Sequence, residues 1–345
     1  MKAVTLVAAG GLQHLRVQEL PEPVIQSADQ VLVQVRAAAL NRLDLFVAGG
    51  LPGITYSFPH ILGSDGAGVV RAVGFGVRQV SPGDRVMVNP TLSCGQCTAC
   101  KSGEDSLCAR LRVIGEHCPG TAAEYIVVPA GNLAPVPAGM PWPEAASFSL
   151  ATLTAWRMLT TRARLQRGET VLIWGIGGGV ALAALQIAGL LGARTIVTSG
   201  SDPKLERARK IGADAGLNHR KVDVAAEVRK LTEGEGADVV VDSAGEQCWP
   251  VSLRSLKRGG RLVICGATSG PMVSLDLRRL FWHQWSILGS TLGSRREYGE
   301  ILEQAHAGKL WPLVDQVVPL DDAPVAFERL QRGEQMGKLV LEVTQ

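Results

Sequence analysis

The sequence predicts an α/β protein built from a doubly wound parallel sheet and a second, β-barrel domain. The strongest observation is the stretch 170–199, which reads as a buried strand, a glycine turn, an apolar helix and another buried strand. Strands and helices also alternate beyond residue 142, whereas short, turn-bounded strands precede it. A chain of 345 residues is long for one domain and suits two.

The first part of the chain, residues 1–150, reads as an all-β, barrel-like domain. Its predicted strands are 4–8, 15–17, 31–37, 67–73, 85–88 and 122–128. Clusters of Pro, Gly, Ser and Asp separate them, as is typical of turns between short strands. The tail carries strands at 314–319 and 338–343 around a helix at 322–330, and we expect it to return to this domain.

The central part alternates between the two types of element. Helices are predicted at 143–161, 180–191, 204–211, 223–231 and 248–256, and strands at 170–174, 193–197, 215–218, 237–241, 260–265 and 286–288. This alternation predicts a doubly wound parallel sheet. The predicted domains are therefore 151–290 for dinucleotide binding, and 1–150 with 291–345 for the barrel-like domain.

The glycine turn is the first candidate binding site. A pyrophosphate must approach backbone N–H groups at a helix start, and side chains in the turn would block it. The spacing fits G-x-x-G-x-x-A better than G-x-G-x-x-G, and a turn without a ligand is the alternative. The order of strand, turn, helix and strand favours a dinucleotide. The candidate contacts are Gly175, Gly177, Gly178, Gly179 and Val180.

The end of the following strand bears on the choice between NADPH and NADH. NAD enzymes usually place an acidic residue there to bind the ribose 2′-hydroxyl. Here Ser199, Ser201 and Lys204 offer hydroxyls and a cation that suit a 2′-phosphate, so NADPH is predicted over NADH. Asp202 leaves NADH open, and Ser201 also suits the N-cap of the next helix.

Composition excludes several classes of function. The net charge of +3 gives no footprint for nucleic acid or a membrane surface. The N-terminus lacks the apolar core of a signal peptide, and no uninterrupted apolar stretch reaches transmembrane length. We therefore expect a cytoplasmic protein whose partner is a small-molecule substrate.

Four of the seven cysteines form a cluster with the spacing C-x2-C-x2-C-x7-C. Four thiolates in a polar loop match a closed tetrahedral Zn²⁺ site without an open position. An iron–sulfur run would continue with x3-C-P, and this loop does not. The predicted ligands of one structural Zn²⁺ are Cys94, Cys97, Cys100 and Cys108.

Several motifs together resemble the medium-chain dehydrogenase/reductase superfamily, in its group of zinc alcohol dehydrogenases and quinone oxidoreductases. They are ALNRLD (39–44), GSDGAG (63–68), SPGDRV (81–86), the four-Cys loop, GEHCPGTAAEY (115–125), the glycine turn, VVDSAG (240–245) and GKLVL (337–341). The resemblance covers essentially the whole chain. It implies a GroES-like catalytic domain and a Rossmann domain, with the active site between them.

The chain departs from that family at the expected catalytic zinc. The resemblance implies Cys, His and Cys ligands, and these positions hold Asn41, Ser64 and Leu150. The family's Glu beside the His is Asp65, and the hydroxyl of its proton relay is replaced by Leu43. Because a catalytic zinc needs three protein ligands, we expect none here.

The resemblance also implies active-site residues. Asn41 is expected beside the nicotinamide ribose and the substrate, with capping of a turn as its alternative role. Asp44 is expected to stabilise the site. His60 is the best local titratable group, although a packed loop histidine is the commoner role. Tyr56 comes later than the tyrosine that some enoyl-thioester reductases use, and no proton donor is assigned.

Further cofactor contacts are expected where the parallel strands end. Asp242 and Gly266 with Ala267 follow neighbouring buried strands, at the edge where ligands bind. Thr154 is a candidate contact to the carboxamide or ribose, and Lys338 matches a position that often lies near NADPH in the family.

Loss of the Lewis acid changes the chemistry that we expect. An unactivated ketone loses its main polarising group, whereas a quinone or an α,β-unsaturated carbonyl already spreads the developing charge. We therefore predict an NADPH-dependent reductase of such acceptors. The alternatives are an alcohol dehydrogenase or carbonyl reductase, and a non-catalytic NADPH-binding protein. The edge strand 286–288 suggests a homodimer or homotetramer.

Overall fold

The computed structural model describes residues 1–344 of the chain. The chain divides into two compact units, one formed by Met1–Ala151 with the segment from Ser294 onward, and the other by Thr152–Gly293. The α/β fold with a parallel Rossmann sheet and a GroES-like unit is as the sequence predicted.

The first unit is mainly antiparallel β-structure. Its strands are β1 (Lys2–Leu6), β2 (Leu15–Glu19), β3 (Gln30–Ala39), β4 (His60–Ile61), β5 (Asp65–Val73), β6 (Arg85–Val88), β7 (Thr91–Leu92), β8 (Arg112–Val113), β9 (Tyr125–Pro129), β10 (Leu133–Pro135), β17 (Val314–Pro319) and β18 (Lys338–Glu342). Its helices are α1 (Arg42–Gly49), α2 (Thr98–Lys101), α3 (Trp142–Ser147), α10 (Arg295–His306) and α11 (Ala323–Arg332), and α4 (Ser149–Trp156) begins in it.

Strand β3 is the centre of this unit. It alternates buried and half-buried side chains until its last residues, as expected of a strand with one face on a core. The seven-stranded sheet has the order β10-β6-β5-β3-β18-β17, and β9 also pairs with β3. The tail strand β18 is therefore antiparallel to the end of β3, with Val340 opposite Ala39. This pairing brings the start of the tail strand close to Asn41.

The second unit is a six-stranded parallel sheet. Its strands are β11 (Thr170–Ile173), β12 (Arg194–Ser199), β13 (Ala215–Asn218), β14 (Ala237–Asp242), β15 (Leu256–Ile264) and β16 (Ser286–Gly289). Its helices are α5 (Gly179–Leu190), α6 (Asp202–Lys210), α7 (Val224–Leu231), α8 (Trp249–Ser255) and α9 (Leu277–His283). The order β13-β12-β11-β14-β15-β16 reverses between β11 and β14, which is where a doubly wound sheet binds its ligand.

Some predicted elements have different limits. The predicted helix 143–161 is two helices, α3 and α4, followed by a π-helical segment, Arg157–Arg162. Four helices, α1, α2, α9 and α10, were not predicted. Two of them, α1 and α10, carry a capping signal in the sequence. The capping residue before each helix donates its backbone N–H to the acidic side chain three positions later.

Candidate functional site

The glycine turn joins β11 to α5 through backbone conformations that favour glycine. The φ angle is +70° at Gly175 and +130° at Gly177. Gly178 is the N-cap of α5, and the N–H of Leu182 bonds to its carbonyl over 3.0 Å. The earlier N–H groups at the start of α5 have no acceptor within the helix, so they can bind a phosphate.

A buried donor lies next to this turn. The indole N–H of Trp174 has no hydrogen-bond partner among the described residues. Its ring centroid lies 6.1 Å from that of His219, which follows β13. Because an unpaired buried N–H is costly, its environment fits a site that a bound molecule completes. The chemistry of the turn therefore fits a dinucleotide.

Asp202 is bound by neighbouring side chains at the end of β12. One of its carboxylate oxygens accepts from Nδ2 of Asn218 over 2.6 Å, and the other pairs with Nζ of Lys221 over 2.5 Å. These contacts lower the pKa of Asp202, chiefly through Lys221. Both predicted serines lie at this strand end, and the hydroxyl oxygen of Ser199 accepts the backbone N–H of Ser201 over 3.1 Å.

Arg220 was not predicted as a site residue. A Cβ atom built on Gly200 would lie 2.6 Å from Nε of Arg220, so this side chain crosses the backbone just after β12. The signal is topological: Ser199 pairs with Asn218, so the residues that follow these two strands become neighbours. Lys204, the third predicted contact at this end, lies in the first turn of α6.

The other predicted cofactor residues of the second unit lie as follows. Asp242 is buried. Its carboxylate accepts the N–H groups of Ala244 and Gly245 and the hydroxyl of Ser252, and burial raises its pKa.

The loop after β15 carries two more predicted contacts. At Gly266 a Cβ atom would lie 2.9 Å from the carbonyl oxygen of Ser243, so glycine permits a close approach of two chain segments. Ala267 follows Gly266 in the same loop, and Thr154 is buried in α4.

The four predicted zinc ligands converge. Their sulfur atoms all lie within 4.8 Å of one another, with 3.5 Å between Cys97 and Cys100 and 3.8 Å between Cys94 and Cys100. Tetrahedral Zn–S bonds of about 2.3 Å imply S–S separations of about 3.8 Å. Backbone N–H groups of Gln96 and Arg110 also point at the sulfurs of Cys94 and Cys108. The cluster therefore fits a structural Zn²⁺.

The cysteine loop contacts the start of α10. Asp105, which lies between the third and fourth cysteines, is buried and accepts the backbone N–H of Arg295 over 3.0 Å. At the same helix start, Ser294 caps α10 and Glu297 returns a bond to the N–H of Ser294 over 2.6 Å. The loop and the helix are thus fixed to each other within the first unit.

A buried ion pair lies beside Asn41, one of the positions where the family resemblance implies a ligand of a catalytic zinc. Nζ of Lys338 donates to Oδ2 of Asp65 over 2.9 Å and to Oδ1 of Asn41 over 2.5 Å. Nδ2 of Asn41 donates to the same oxygen of Asp65 over 3.0 Å. An ammonium group has three N–H donors. Two of these donors have acceptors among the described residues, namely Asn41 and Asp65.

The residues that occupy the family's zinc-ligand positions lie around Lys338 and Asp65. The other oxygen of Asp65 accepts the backbone N–H of Leu150 over 2.7 Å. The hydroxyl of Ser64 is buried and has no hydrogen-bond partner among the described residues. Neither the side chain of Leu150 nor the amide of Asn41 is a good zinc ligand. Over residues 1–344, the only convergent group of three or more His, Cys, Asp or Glu side chains is the four cysteines.

Asp44 supports the backbone around this site. It is fully buried; Oδ2 accepts the N–H of Asn41 over 2.7 Å and Oδ1 accepts the N–H of Gly63 over 3.1 Å. Burial raises its pKa to about 6, against the effect of those two bonds and of Lys338. The carboxyl group therefore holds the start of α1 against the loop before β5.

His60 does not join this group of residues. Its Nε2 lies 2.9 Å from the carbonyl oxygen of Gly115 and must carry the hydrogen, because a carbonyl only accepts. Its ring packs against Tyr56 at 5.2 Å, and burial lowers its pKa. The structure thus brings Asn41, Lys338 and Asp65 together and places His60 in a separate contact.

The chain resembles known proteins along its whole length. Residues 27–138 match the alcohol dehydrogenase GroES-like domain, and residues 179–307 match the zinc-binding dehydrogenase family. An alcohol dehydrogenase of Geobacillus stearothermophilus is 32% identical, and the match covers 95% of this chain and 96% of that protein. A crotonyl-CoA carboxylase/reductase of Cereibacter sphaeroides is 27% identical, over 93% of this chain and 82% of its own length.

Solved structures agree with this. The structure of an NAD-dependent alcohol dehydrogenase superposes with a TM-score of 0.95 at 45% identity, over 100% of both chains. No described helix combines the length and apolar character needed to cross a bilayer. The chain belongs to the zinc-type alcohol dehydrogenase group of the medium-chain dehydrogenase/reductase superfamily, and it is an NAD(P)-dependent oxidoreductase of small molecules.

Proposed function

We propose that this oxidoreductase transfers a hydride from NADPH to a conjugated C=C bond or to a quinone, without a catalytic zinc. The contact between Lys338, Asn41 and Asp65 carries the proposal. A lysine ammonium, held by an amide and a carboxylate, supplies a positive charge beside the positions that hold the zinc ligands in the family. Ser64 and Leu150 complete a set of side chains that fits a metal poorly.

The chemistry of such an acceptor suits a lysine. The bound reduced nicotinamide supplies the hydride. As the acceptor is reduced, negative charge develops on its oxygen, and the third N–H of Lys338 can donate to it in a buried site, where such a donor is most effective. Asn41 and Asp65 orient that ammonium group. An unconjugated ketone needs stronger polarisation, which a metal provides and a lysine provides less well.

The relatives support two candidate reactions. The name of the crotonyl-CoA carboxylase/reductase describes reduction of a conjugated thioester. The other matches described above are alcohol dehydrogenases, and they favour the second candidate, oxidation of an alcohol or reduction of a carbonyl. The side chains of Asn41, Ser64 and Leu150 are a poor set of metal ligands, so we prefer reduction of a conjugated acceptor.

For the cofactor, we propose NADPH over NADH. Asp202 is already bound by Asn218 and Lys221, so it is poorly suited to accept from a ribose hydroxyl. Arg220 crosses Gly200 at the end of β12 and can pair with a 2′-phosphate. The solved structure described above is of an NAD-dependent enzyme, and kcat/KM measured with each cofactor decides between the two.

We also propose that the enzyme is a homodimer or a tetramer of such dimers. Strand β16 is an edge of the parallel sheet and has an open hydrogen-bonding side. On the neighbouring helix α9, Leu277, Phe281 and Trp282 are each about two-thirds exposed. Large exposed apolar side chains beside an open edge indicate a protein interface, and sedimentation velocity measures the state.

The zinc content of active protein tests the reaction without a catalytic metal. We expect one Zn²⁺ per chain in preparations with full reductase activity. Replacing Cys97 by Ser is expected to remove that one equivalent. Two equivalents per chain, with activity that follows the second, would instead support a zinc-dependent dehydrogenase. Tight NADPH binding without turnover of any acceptor would support the non-catalytic alternative.

A further inference from the structure

Reduction of an enone needs a proton at carbon as well as a hydride, and the two carboxyl groups and the histidine already described are poorly placed to give one. Both oxygens of Asp65 are occupied, because together they accept three N–H donors. Both oxygens of Asp44 accept backbone N–H groups. The Nε2 hydrogen of His60 is bound to Gly115. The proton source therefore has to be sought among the hydroxyl groups nearby.

Two buried hydroxyls from distant parts of the sequence meet beside the Lys338–Asp65 pair. The phenol oxygen of Tyr298, in α10, lies 2.9 Å from Oγ of Ser149, at the start of α4. Both side chains are buried. Ser149 directly precedes Leu150, whose N–H binds Asp65. The two hydroxyls therefore lie next to Leu150, which occupies the position of the family's third zinc ligand.

The phenol retains its proton in this environment. Burial raises the pKa of Tyr298 above its usual value, and the negative charge of Asp65 adds to the effect although the bond to Ser149 opposes it. Tyr298 therefore stays protonated throughout the neutral range. An enolate is a stronger base than a free phenolate is, so a proton can still pass to it along a hydrogen bond.

We propose that Ser149 and Tyr298 deliver the proton that completes the reduction. The inference rests on the proposed function. After hydride addition to the β-carbon, the electron pair of the C=C bond lies on the enolate. The O–H bond of Ser149 then breaks, and the electron pair of the enolate forms a C–H bond between the α-carbon of the substrate and that proton. Tyr298 passes its own proton to the Ser149 oxygen, and the phenolate then takes one proton from solvent water, which leaves as hydroxide.

Ser149 is the catalytic residue in this scheme because it gives its proton to the substrate, and Tyr298 is a positioning residue that acts through it. The helix that carries Tyr298 is well fixed. Its first turn is held by the mutual bonds of Ser294 and Glu297, and by the contact of Asp105 with the N–H of Arg295. The phenol is thus presented by a rigid element rather than by a loop.

The chain has three tyrosines, so three Phe variants test all of its phenols. We expect Tyr298→Phe and Ser149→Ala each to lower kcat by about 100-fold, the lower end of a general acid's contribution, with little change in KM. Tyr125→Phe is the matched control, because Tyr125 is half-buried in β9. Tyr56→Phe tests the competing phenol, whose buried hydroxyl has no partner among the described residues.

Double substitution and isotope effects separate proton delivery from a merely structural role. The double variant Ser149→Ala with Tyr298→Phe removes both partners, so it should fold and should be no slower than either single variant. The solvent deuterium isotope effect on kcat should rise in Tyr298→Phe, where water replaces the phenol. A Tyr298→Phe enzyme within twofold of wild type, or a larger loss in Tyr56→Phe, would overturn the proposal.

The result is separable from the proposed function. Should the wild-type enzyme reduce only carbonyl groups, the proposed C=C chemistry is wrong, but an alkoxide also needs a proton. The same variants then test the pair with that substrate, and a loss of kcat in them still supports it. A wild-type protein that binds NADPH and reduces no acceptor at all contradicts both proposals.

Discussion

Lys338 donates to the carboxylate of Asp65 over 2.9 Å, although 273 positions separate the two residues in the sequence. Both side chains are almost fully buried. Replacing Lys338 by Met leaves the charge of Asp65 without its counter-ion, which costs about 3–5 kcal/mol in a buried pair. We expect a matching fall in the free energy of unfolding, measured with denaturant, and a loss of reductase activity.

A second substitution distinguishes stability from catalysis at this pair. Changing Asp65 to Asn in the Lys338→Met background removes the unpaired charge. We expect part of the lost stability to return, because the buried charge is gone, while the activity stays low, because the ammonium is still absent. Recovery of full activity in the double variant would show that Lys338 acts only as a structural counter-ion.

Asp44 makes stability depend on pH. Its pKa rises from 3.8 to about 6 on folding because it is buried. Between these two pH values the folded state thus binds more protons than the unfolded state. The contribution of Asp44 to the free energy of unfolding is therefore complete below pH 3.8 and is lost as the pH rises through 6. This difference in pKa corresponds to about 3 kcal/mol of unfolding free energy, at about 1.36 kcal/mol per pKa unit.

Unfolding of the wild type and of Asp44→Asn should be compared across this pH range. We expect the variant to be less stable overall, because an amide has one oxygen for two N–H donors. Its stability should also lack the fall between pH 4 and 6.5 that Asp44 causes. Parallel pH profiles of the two proteins would show that Asp44 ionises normally in the folded state.

Arg220 is expected to select NADPH. Replacing it by Leu removes the charge that faces a 2′-phosphate, and we expect kcat/KM for NADPH to fall about tenfold, the effect of one charge-assisted bond. The value for NADH should change little. Arg209→Leu on α6 is the control, since its only described ion pair is with Glu206. Equal losses with both cofactors would place Arg220 outside the 2′ site.

The contact of Asp105 with Arg295 predicts that the zinc loop stabilises α10. Removing the metal with a chelator, or replacing Asp105 by Ala, should increase hydrogen exchange in Ser294–His306. Asp321→Ala, which breaks an exposed ion pair with Lys2, should leave this exchange unchanged. Exchange in α10 that does not respond to the metal or to Asp105 would mean that the two elements are independent.

The order of elements could be predicted from the sequence because it depends on local patterns. The glycine turn, the alternation of strands and helices and the spacing of the cysteines are all short-range signals. The helices α1 and α10 were missed although the sequence carries their capping acids, Asp44 and Glu297. Their apolar spacing alone was too weak to mark them.

The catalytic candidates were harder to predict because they depend on long-range pairing. Lys338 was expected near the cofactor, and only the pairing of β18 with β3 places it against Asn41. The contact of Ser149 with Tyr298 joins positions 149 residues apart, and neither residue belongs to a motif. Such contacts follow from the fold of the tail, which a sequence pattern does not encode locally.

Reduction of a simple enone with 4-deuterated NADPH tests the central claim most directly. The position of the deuterium in the product is read by NMR. A saturated ketone with deuterium at the β-carbon is the product that our account predicts for a lysine-based, zinc-free site. An allylic alcohol with deuterium at the carbinol carbon would mean carbonyl chemistry, and it would contradict the account.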